Sequence, residues 1–283
     1  MSLAAFDRNG IALRYEDVGD GPTVIFQHGL GGDITQVREV FPATPAVRRL
    51  TLECRAHGGS EAGPLSELSI ATFTDDVTAL AAQVAPGPVV AGGISMGAAI
   101  ALRLAVRRPD LVKALVLARP AWMFAPAPDN MRPIGLVAEL LRKHALPIAR
   151  DIFERSETAK RLARDAPGNL ASLRGFFANH DPKTRAALIG SIARDGPGVT
   201  ESEAANIAVP TLVIGTTEDT IHPLYFAEAL AGIIPVAAFI RITSKSVDPE
   251  RHAVEFKEAL SEFLGETDSA KALRGRRSST HTS

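Results

Sequence analysis

The stretch that decides the fold is PVVAGGISMGAA, residues 88–99. Its first half predicts a buried strand, and its continuation predicts an alanine-rich helix over 96–106. Between them, Gly93 and Gly97 flank Ser95 in the pattern G-x-S-x-G, in which small residues let a strand and a helix approach each other around a sharp turn. Such a turn presents the serine hydroxyl above the sheet, so Ser95 is the candidate nucleophile. The alternative is that Ser95 only caps the helix that follows.

The chain on either side alternates short apolar runs with helical segments. This rhythm is typical of an α/β fold with a mostly parallel central sheet and helices on both faces. Further strands are predicted at 11–18, 23–27, 49–54, 112–118, 210–216 and 238–243. Between about 120 and 209 only helical segments are predicted, at 134–143, 148–162, 169–177 and 183–194.

The sequence therefore predicts a core formed by residues 1–119 and 210–264, with a helical lid (cap) insertion at 120–209 between two strands, at the sheet edge where α/β proteins bind ligands. The alternative is that these helices pack on the flank of the sheet. Residues 265–283 lose apolar periodicity and are rich in Lys, Arg, Ser and Thr, which predicts a disordered tail.

Composition narrows the classes of function. The 283 residues include 31 Lys and Arg and 32 Asp and Glu, a formal net charge of −1, so no general attraction to nucleic acid or to an anionic membrane is expected. No apolar run reaches the roughly 20 residues of a membrane helix, and the N-terminus lacks the apolar centre of a signal peptide. The single cysteine, Cys54, fits a reducing compartment. We therefore expect a cytoplasmic protein whose partner is a small-molecule substrate; the sequence leaves its oligomeric state open.

Three further motifs accompany the serine turn. His28-Gly29 follows an apolar strand, Glu53-Cys54-Arg55-Ala56-His57-Gly58-Gly59-Ser60 follows the next, and Gly215-Thr216-Thr217-Glu218-Asp219 ends a later one. Together with the position of the insertion, these motifs resemble the α/β-hydrolase superfamily over most of the chain. The resemblance implies that the backbone amides of Leu30 and Met96 form an oxyanion hole. Two positions depart from the family's D-x-R-G-x-G-x-S turn, because Glu53 replaces its aspartate and Ala56 its first glycine.

A serine nucleophile needs a neighbouring general base, and the chain has seven histidines. The order of nucleophile, acid and then histidine after the last strand selects His252, which follows strand 238–243 and precedes a helical segment. His222 is the main rival; it follows Asp219 closely and comes before the last strand. In place of the family's usual glycine before the histidine, Arg251 ends a long charged loop.

Asp219 is the predicted orienter of the histidine, because it ends a strand and precedes Pro223 in a loop that can turn toward the base. The adjacent Glu218 would point elsewhere if the alternation of the strand persists. Asp248 is a more distant alternative that could cap a helix instead. After strand 112–118, where some relatives carry their acid, the chain has Arg119.

These residues predict a carboxylesterase-like or lactonase-like hydrolase that acts on a small carboxylic ester or lactone through an acyl-enzyme. The candidate walls of the acyl pocket are Trp122, Phe124 and Phe176, for which packing within the insertion is the alternative. The chain has no metal-ligand motif and no dinucleotide fingerprint, so neither a metal nor another cofactor is expected. C–C bond hydrolysis, acyl transfer to an acceptor other than water, perhydrolysis and non-catalytic ligand sensing are the alternative functions.

Overall fold

The computed structural model describes the backbone of residues 2–178 and 181–278 and the side chains of residues 3–178 and 181–267. Its strands are β1 (Ser2–Arg8), β2 (Ile11–Val18), β3 (Thr23–Gln27), β4 (Arg48–Leu52), β5 (Val89–Ile94), β6 (Val112–Ala118), β7 (Thr211–Thr216) and β8 (Ala237–Ile242). They form one sheet in the order β1-β2-β4-β3-β5-β6-β7-β8. The β1–β2 and β2–β4 pairs are antiparallel and the other pairs are parallel.

The helices connect these strands and cover the sheet. They are α1 (Ile34–Val40), α2 (Ile70–Val84), α3 (Met96–Arg107), α4 (Arg132–Lys143), α5 (Leu146–Arg155), α6 (Glu157–Asp165), α7 (Pro167–Gly175), α8 (Pro182–Arg194), α9 (Glu201–Ala205), α10 (Leu224–Ile233) and α11 (Pro249–Ser278). The predicted α/β architecture is confirmed, and β1 is an additional strand that the sequence pattern did not reveal.

The sheet separates two layers of apolar core. Along β6, Leu115 and Leu117 join the cluster built with α2, α3 and the insertion, whereas Ala114 and Val116 join the cluster built with α1 and α11. The central strands are buried on both faces, as expected for parallel strands covered by helices. The carboxyl ends of the parallel strands are therefore where loops can present polar groups.

The segment between β6 and β7 contains only helices among its described residues, 120–178 and 181–209. The single helix predicted over 148–162 is two helices, α5 and α6, which meet at Ser156. The Ser156 hydroxyl accepts a hydrogen bond from the amide of Ala159 (3.1 Å) and so begins α6. An N-cap serine in the middle of an apolar periodicity is the local signal for this break.

The helical insertion contacts loops at the carboxyl end of the sheet. Phe176 packs against Gly31 in the loop after β3, and the amide of Gly168 donates to the hydroxyl of Ser246 after β8 (3.0 Å). These contacts lie at the edge where the sequence predicts a lid, and the role of the insertion as a lid stays a prediction.

The last helix corrects the predicted boundary of the core. Helix α11 runs through residue 264 to Ser278, so the segment predicted as a disordered tail begins as helix. Residues 266–274 include glutamate, alanine, lysine, leucine and arginine, whose helix propensity outweighs the lost apolar periodicity. The rest of that predicted tail, 279–283, lies outside the described residues. No helix in the described part of the chain is both long and apolar enough to cross a bilayer.

Candidate active site

Ser95 lies on a strained turn between β5 and α3. Its backbone has φ +58° and ψ −111°, and its amide donates to the carbonyl of Ala118 (2.9 Å). The flanking glycines are required by space, because a Cβ on Gly97 would lie 2.3 Å from the carbonyl oxygen of Gln27. The Ser95 side chain makes no capping hydrogen bond to α3, so the capping alternative does not account for it. Backbone strain of this kind persists where the surrounding structure enforces it, often at functional sites.

The Ser95 hydroxyl contacts His222. The distance from Ser95 Oγ to His222 Nε2 is 2.8 Å, and the distance from His222 Nδ1 to Asp219 Oδ1 is also 2.8 Å. A carboxylate only accepts, so Nδ1 carries the proton and donates it to Asp219. Nε2 is then free to accept a proton from the hydroxyl. This geometry is the one expected of a nucleophile, a base and an orienter, and we refer to these three residues as the Ser–His–Asp set.

The predicted pairing of Ser95 with His252 is wrong. His252 Nδ1 donates to the carbonyl of Thr243 (2.8 Å), and its ring packs near Phe256, with ring centroids 6.1 Å apart. The physical reason is that α11 begins at Pro249, so His252 belongs to a buried helical turn and not to a free loop. The rival histidine, His222, occupies the position expected of a base.

A tight turn places His222 beside Asp219. Glu218 adopts a left-handed conformation (φ +55°), which redirects the chain at the end of β7. Asp219 Oδ1 then accepts a hydrogen bond from the amide of His222 (3.0 Å). Thr220 and Ile221 lie between Asp219 and His222. Asn169 of α7 fixes both, because its Oδ1 accepts from the amides of Thr220 (2.7 Å) and Ile221 (3.1 Å). We call residues 218–222 the acid–base turn.

Two features of the sequence pointed toward this turn. The first is the short spacing from Asp219 to His222, because an aspartate that accepts from the amide three residues later brings the two side chains together, although the sequence prediction counts this spacing against His222. The missing glycine before His252 was the second sign, because the family's histidine loop is not preserved there. Asp219, chosen for its position after a strand, contacts the histidine that meets Ser95, and its role as orienter stays a prediction. Glu218 is exposed, and Asp248 caps α11 through the amides of Glu250 and Arg251.

The carboxylate of Asp219 is buried among donors, with a side chain 4% exposed. Its Oδ1 also accepts from Asn169 Nδ2 (2.8 Å), and its Oδ2 accepts from Arg119 Nε (3.0 Å) and Nη2 (2.5 Å). Burial alone would raise the pKa of this carboxyl, but the charges and hydrogen bonds of His222 and Arg119 hold its pKa well below the usual range. Asp219 is therefore ionised at any pH near neutrality.

His222 is kept in its neutral form. Burial lowers its pKa, and the positive charge of Arg119 lowers it further, whereas Asp219 acts in the opposite direction. The net direction is downward from 6.5. A neutral imidazole at neutral pH is the form that can take the proton of Ser95.

The loop after β3 lies directly against the nucleophile. A Cβ on Gly29 would lie 3.4 Å from the Cβ of Ser95, and the amide of Gly29 donates to the side chain of Gln36 (2.7 Å). Leu30 follows in this loop. Met96 is the first residue of α3, where backbone amides have no acceptor within the helix and the dipole favours negative charge. These positions suit donors to an oxyanion, and the assignment of Leu30 and Met96 to that role stays a prediction.

Two buried histidines support the loop after β3. His28 Nδ1 donates to the carbonyl of Gly29 (2.8 Å), and His28 Nε2 accepts from the amide of Cys54 (3.1 Å). The ring of His57 packs on that of His28, with centroids 4.7 Å apart. Burial lowers the pKa of both imidazoles, so they are neutral supports for the loop.

The three aromatic residues predicted to line a pocket occupy different environments. Trp122 is fully buried, and its indole N–H donates to the carbonyl of Asp195 (2.8 Å), which ties the two ends of the insertion together. Phe124 is half-buried against the core. Phe176 contacts Gly31 in the loop after β3, the loop that lies against Ser95. Among the described side chains no group of three potential metal ligands is clustered.

The sheet order, the strained serine turn and the hydrogen-bonded set together define a hydrolase fold. The chain belongs to the alpha/beta hydrolase fold family, whose model matches residues 22–244. Its relatives are named hydrolases, esterases and lactonases, and the chain is an enzyme of this class.

Several individual proteins are similar along most of their length. A putative carbamate hydrolase, RutD, of Rhizobium rhizogenes is 28% identical over 262 residues, which cover 88% of this chain and 94% of the relative. A pimeloyl-[acyl-carrier protein] methyl ester esterase of Nitrosomonas europaea is 25% identical over 240 residues, covering 81% and 90%. The crystal structure of the enol-lactonase from Burkholderia xenovorans LB400 has a TM-score of 0.71 at 25% identity, covering 93% of this chain and 100% of that one.

Proposed function

We propose that the protein is a serine hydrolase that cleaves a small carboxylic ester or lactone through an acyl-enzyme. One observation carries this proposal: Ser95 Oγ lies 2.8 Å from His222 Nε2, while His222 Nδ1 lies 2.8 Å from Asp219. A serine hydroxyl is a weak nucleophile at its ordinary pKa, and this arrangement supplies the base and the orienter that it lacks.

The reaction begins when Ser95 Oγ attacks the carbonyl carbon while His222 Nε2 takes the hydroxyl proton. Asp219 stabilises the imidazolium that results and keeps its proton on Nδ1 directed away from the substrate. The amides of Leu30 and Met96 hold the negative oxygen of the tetrahedral intermediate. His222 then protonates the leaving alcohol, and water, activated by the same imidazole, releases the acid from Ser95.

Two considerations favour an ester or a lactone. Cleavage of these bonds needs only the groups already named, whereas an amide makes greater demands on protonation of the leaving group. The enol-lactonase and the methyl ester esterase, similar over most of this chain, bear names with the same bond type. Phe176, beside the loop after β3, is the favoured wall for the acyl group, and Trp122 and Phe124 are further candidates.

Labelling with a fluorophosphonate probe tests the assignment of the residues. We expect the wild-type protein to be labelled, Ser95→Ala to be unlabelled, and His222→Gln to lose labelling by roughly a hundredfold or more in rate, because the hydroxyl has lost its base. His252→Gln is the matched control: it removes the other buried histidine of this region and should be labelled at close to the wild-type rate.

The same variants separate the competing proposals. Undiminished labelling of His222→Gln together with lost labelling of a folded His252→Gln would overturn the role of His222. Turnover of p-nitrophenyl esters of graded chain length and of simple lactones then tests the bond type. Labelling without turnover on that panel would favour a ligand sensor or a C–C bond hydrolase, and products formed with added alcohol or peroxide would favour acyl transfer or perhydrolysis.

A further inference from the structure

Arg119 occupies an unusual place behind the Ser–His–Asp set. It follows β6 directly, adopts a left-handed backbone (φ +46°) and donates its amide to the carbonyl of Ile214 in β7 (2.7 Å). Its side chain is 18% exposed and reaches Asp219 with two donors to the same oxygen, Oδ2. The backbone of Arg119 is thus fixed between β6 and β7, and its guanidinium contacts the carboxylate of Asp219.

The guanidinium also reaches the histidine. Arg119 Nη2 lies 3.1 Å from His222 Nδ1, the atom that also faces Asp219 Oδ1. A guanidinium has donors only, so Nη2 and a protonated Nδ1 do not form a hydrogen bond with each other. If Nδ1 were deprotonated, it could accept from Nη2, but its lone pair would then also face the carboxylate oxygen at 2.8 Å. The proton therefore stays on Nδ1, and Arg119 meets the imidazole as a neighbouring positive charge.

We propose that Arg119 is a positioning residue of the active site that clamps Asp219 and opposes protonation of His222. The inference rests on the proposed role of His222 as the base. Each of the two effects follows from a different contact. The bidentate donation to Oδ2 leaves Oδ1 to face the histidine, and the 3.1 Å approach to Nδ1 makes the imidazolium less stable than Asp219 alone would make it.

Arg119 also lines a cavity that contains other charged groups. This cavity of about 330 Å³ is lined mainly by residues of α1, of the loop after β8 and of α11, and its other charged or titratable members are Glu39, Lys245, Glu250 and His252. Lys245 faces Glu39 at 3.7 Å. Asn169, which contacts Asp219 from α7, is neutral. Among the described side chains, the charged groups within hydrogen-bond distance of His222 are those of Arg119 and Asp219.

This arrangement has a cost and a benefit for catalysis. The cost is that the imidazolium formed during attack is less stabilised, which Asp219 offsets. The benefit is that a larger share of His222 is in the neutral, proton-accepting form when the pH falls below neutrality. We therefore expect the acid limb of the activity profile to lie at lower pH than it would without Arg119.

Titration of His222 followed by NMR measures this effect without any turnover. The imidazole carbon resonance of His222 is assigned by its loss in His222→Gln and is followed with pH in the wild type, in Arg119→Met and in Arg119→Lys. Arg119→Met removes the charge at similar length and should raise the pKa of His222, and Arg119→Lys keeps a charge and should raise it less. An unchanged or lowered pKa in a folded Arg119→Met would overturn the proposal.

The pH profile of kcat/KM with p-nitrophenyl butyrate gives the second readout. For Arg119→Met we expect kcat/KM on the acid limb to fall about threefold or more in addition to any loss measured at the plateau. For Arg119→Lys the limb should stay close to that of the wild type while the plateau falls, because one ammonium cannot reproduce the bidentate clamp. If both variants lost the same kcat/KM at the plateau and their acid limbs stayed at the wild-type pH, Arg119 would be only a structural support. Failure of the proposed function is separately visible, because His222→Gln would then still be labelled at Ser95.

Discussion

Ala56 and Ser95 both adopt a left-handed backbone, with φ +61° and +58°, but for different reasons. At Ser95 the strain presents a hydroxyl to His222. Ala56 lies in the turn after β4 at a position where the family's motif has glycine, and nothing in its contacts uses the methyl group for chemistry. A left-handed conformation costs an L-residue about 1–2 kcal/mol, most of which glycine avoids.

We expect Ala56→Gly to stabilise the protein by about 0.5–1 kcal/mol, since relief of strain exceeds the extra entropy of glycine in the unfolded chain. Urea denaturation measures the free energy of unfolding. The control is Ala82→Gly on the exposed face of α2, which should destabilise by about 1 kcal/mol. Equal losses of stability in the two variants would show that the backbone at residue 56 is not strained.

Single residues also show what the sequence could and could not reveal. Ser95 was recognisable because a motif, a strand and a helix coincided around it, and Asp219 because it ends a strand. His222 was passed over because its proximity to Asp219 depends on a left-handed residue at Glu218 and on amide bonds from Asn169. No local pattern encodes a contact that a residue 50 positions away must complete.

At the scale of elements, α7 of the insertion holds the acid–base turn in place. Asn169 is 4% exposed and supplies one donor to Asp219 and one acceptor to the amides of Thr220 and Ile221. We expect its removal to leave two amides, one of them buried, without this acceptor and to let Asp219 move. The insertion thus contacts the acid–base turn directly, and we expect this contact to fix the orientation of Asp219 and His222.

Asn169→Leu should therefore lower kcat by on the order of tenfold to a hundredfold with little change in KM, because small displacements of catalytic groups reduce rate more than binding. Steady-state kinetics on the best ester of the panel measure this. Asn206→Leu, which breaks an exposed amide contact at the end of α9, should leave both constants unchanged. A change confined to KM in Asn169→Leu would contradict the positioning role and indicate a contact with substrate instead.

Elements were easier to predict than their junctions. The buried strands and the long helices follow from composition and periodicity, and the strands of the parallel sheet lie where those patterns indicated. The predicted helix boundaries are wrong where a single residue determines where a helix begins. Ser156 divides one apolar stripe into α5 and α6, and α11 begins at Pro249, early enough to include His252. Capping chemistry is local, but its outcome depends on the tertiary contacts of both candidate helices.

At the scale of the whole molecule, four histidines of the described residues lie in buried or largely buried positions that favour the neutral form: His28, His57, His222 and His252. Burial lowers the pKa of each below its unfolded value near 6.5. As the pH falls below about 6.5, the unfolded chain takes up protons that the folded protein does not, so the free energy of unfolding decreases. Asp219 adds a separate loss only at much lower pH, because its pKa is depressed and its stabilisation is present above the unfolded value near 4.

We expect the free energy of unfolding to fall between pH 7.5 and 5 with a slope of up to about 1.4 kcal/mol per pH unit for each buried histidine. Urea titrations at several pH values measure the slope. His252→Gln should flatten it, because one proton acceptor is removed from the unfolded chain. Gln83→Ala, at an exposed and non-titrating position of α2, should leave the slope unchanged. A wild-type stability that is constant over this interval would contradict the burial of neutral imidazoles.

The compactness of the acid–base turn has a consequence for how the chain can change. Because Asp219 and His222 are three residues apart, every residue of the Ser–His–Asp set precedes β8 in the chain. The connection between β8 and α11 therefore contains no residue of that set. Descendants of this protein can therefore lengthen, shorten or recharge that connection, where Val247 already stands 61% exposed, under selection for folding alone. In a homologue whose base comes from that loop, the same alterations would abolish turnover.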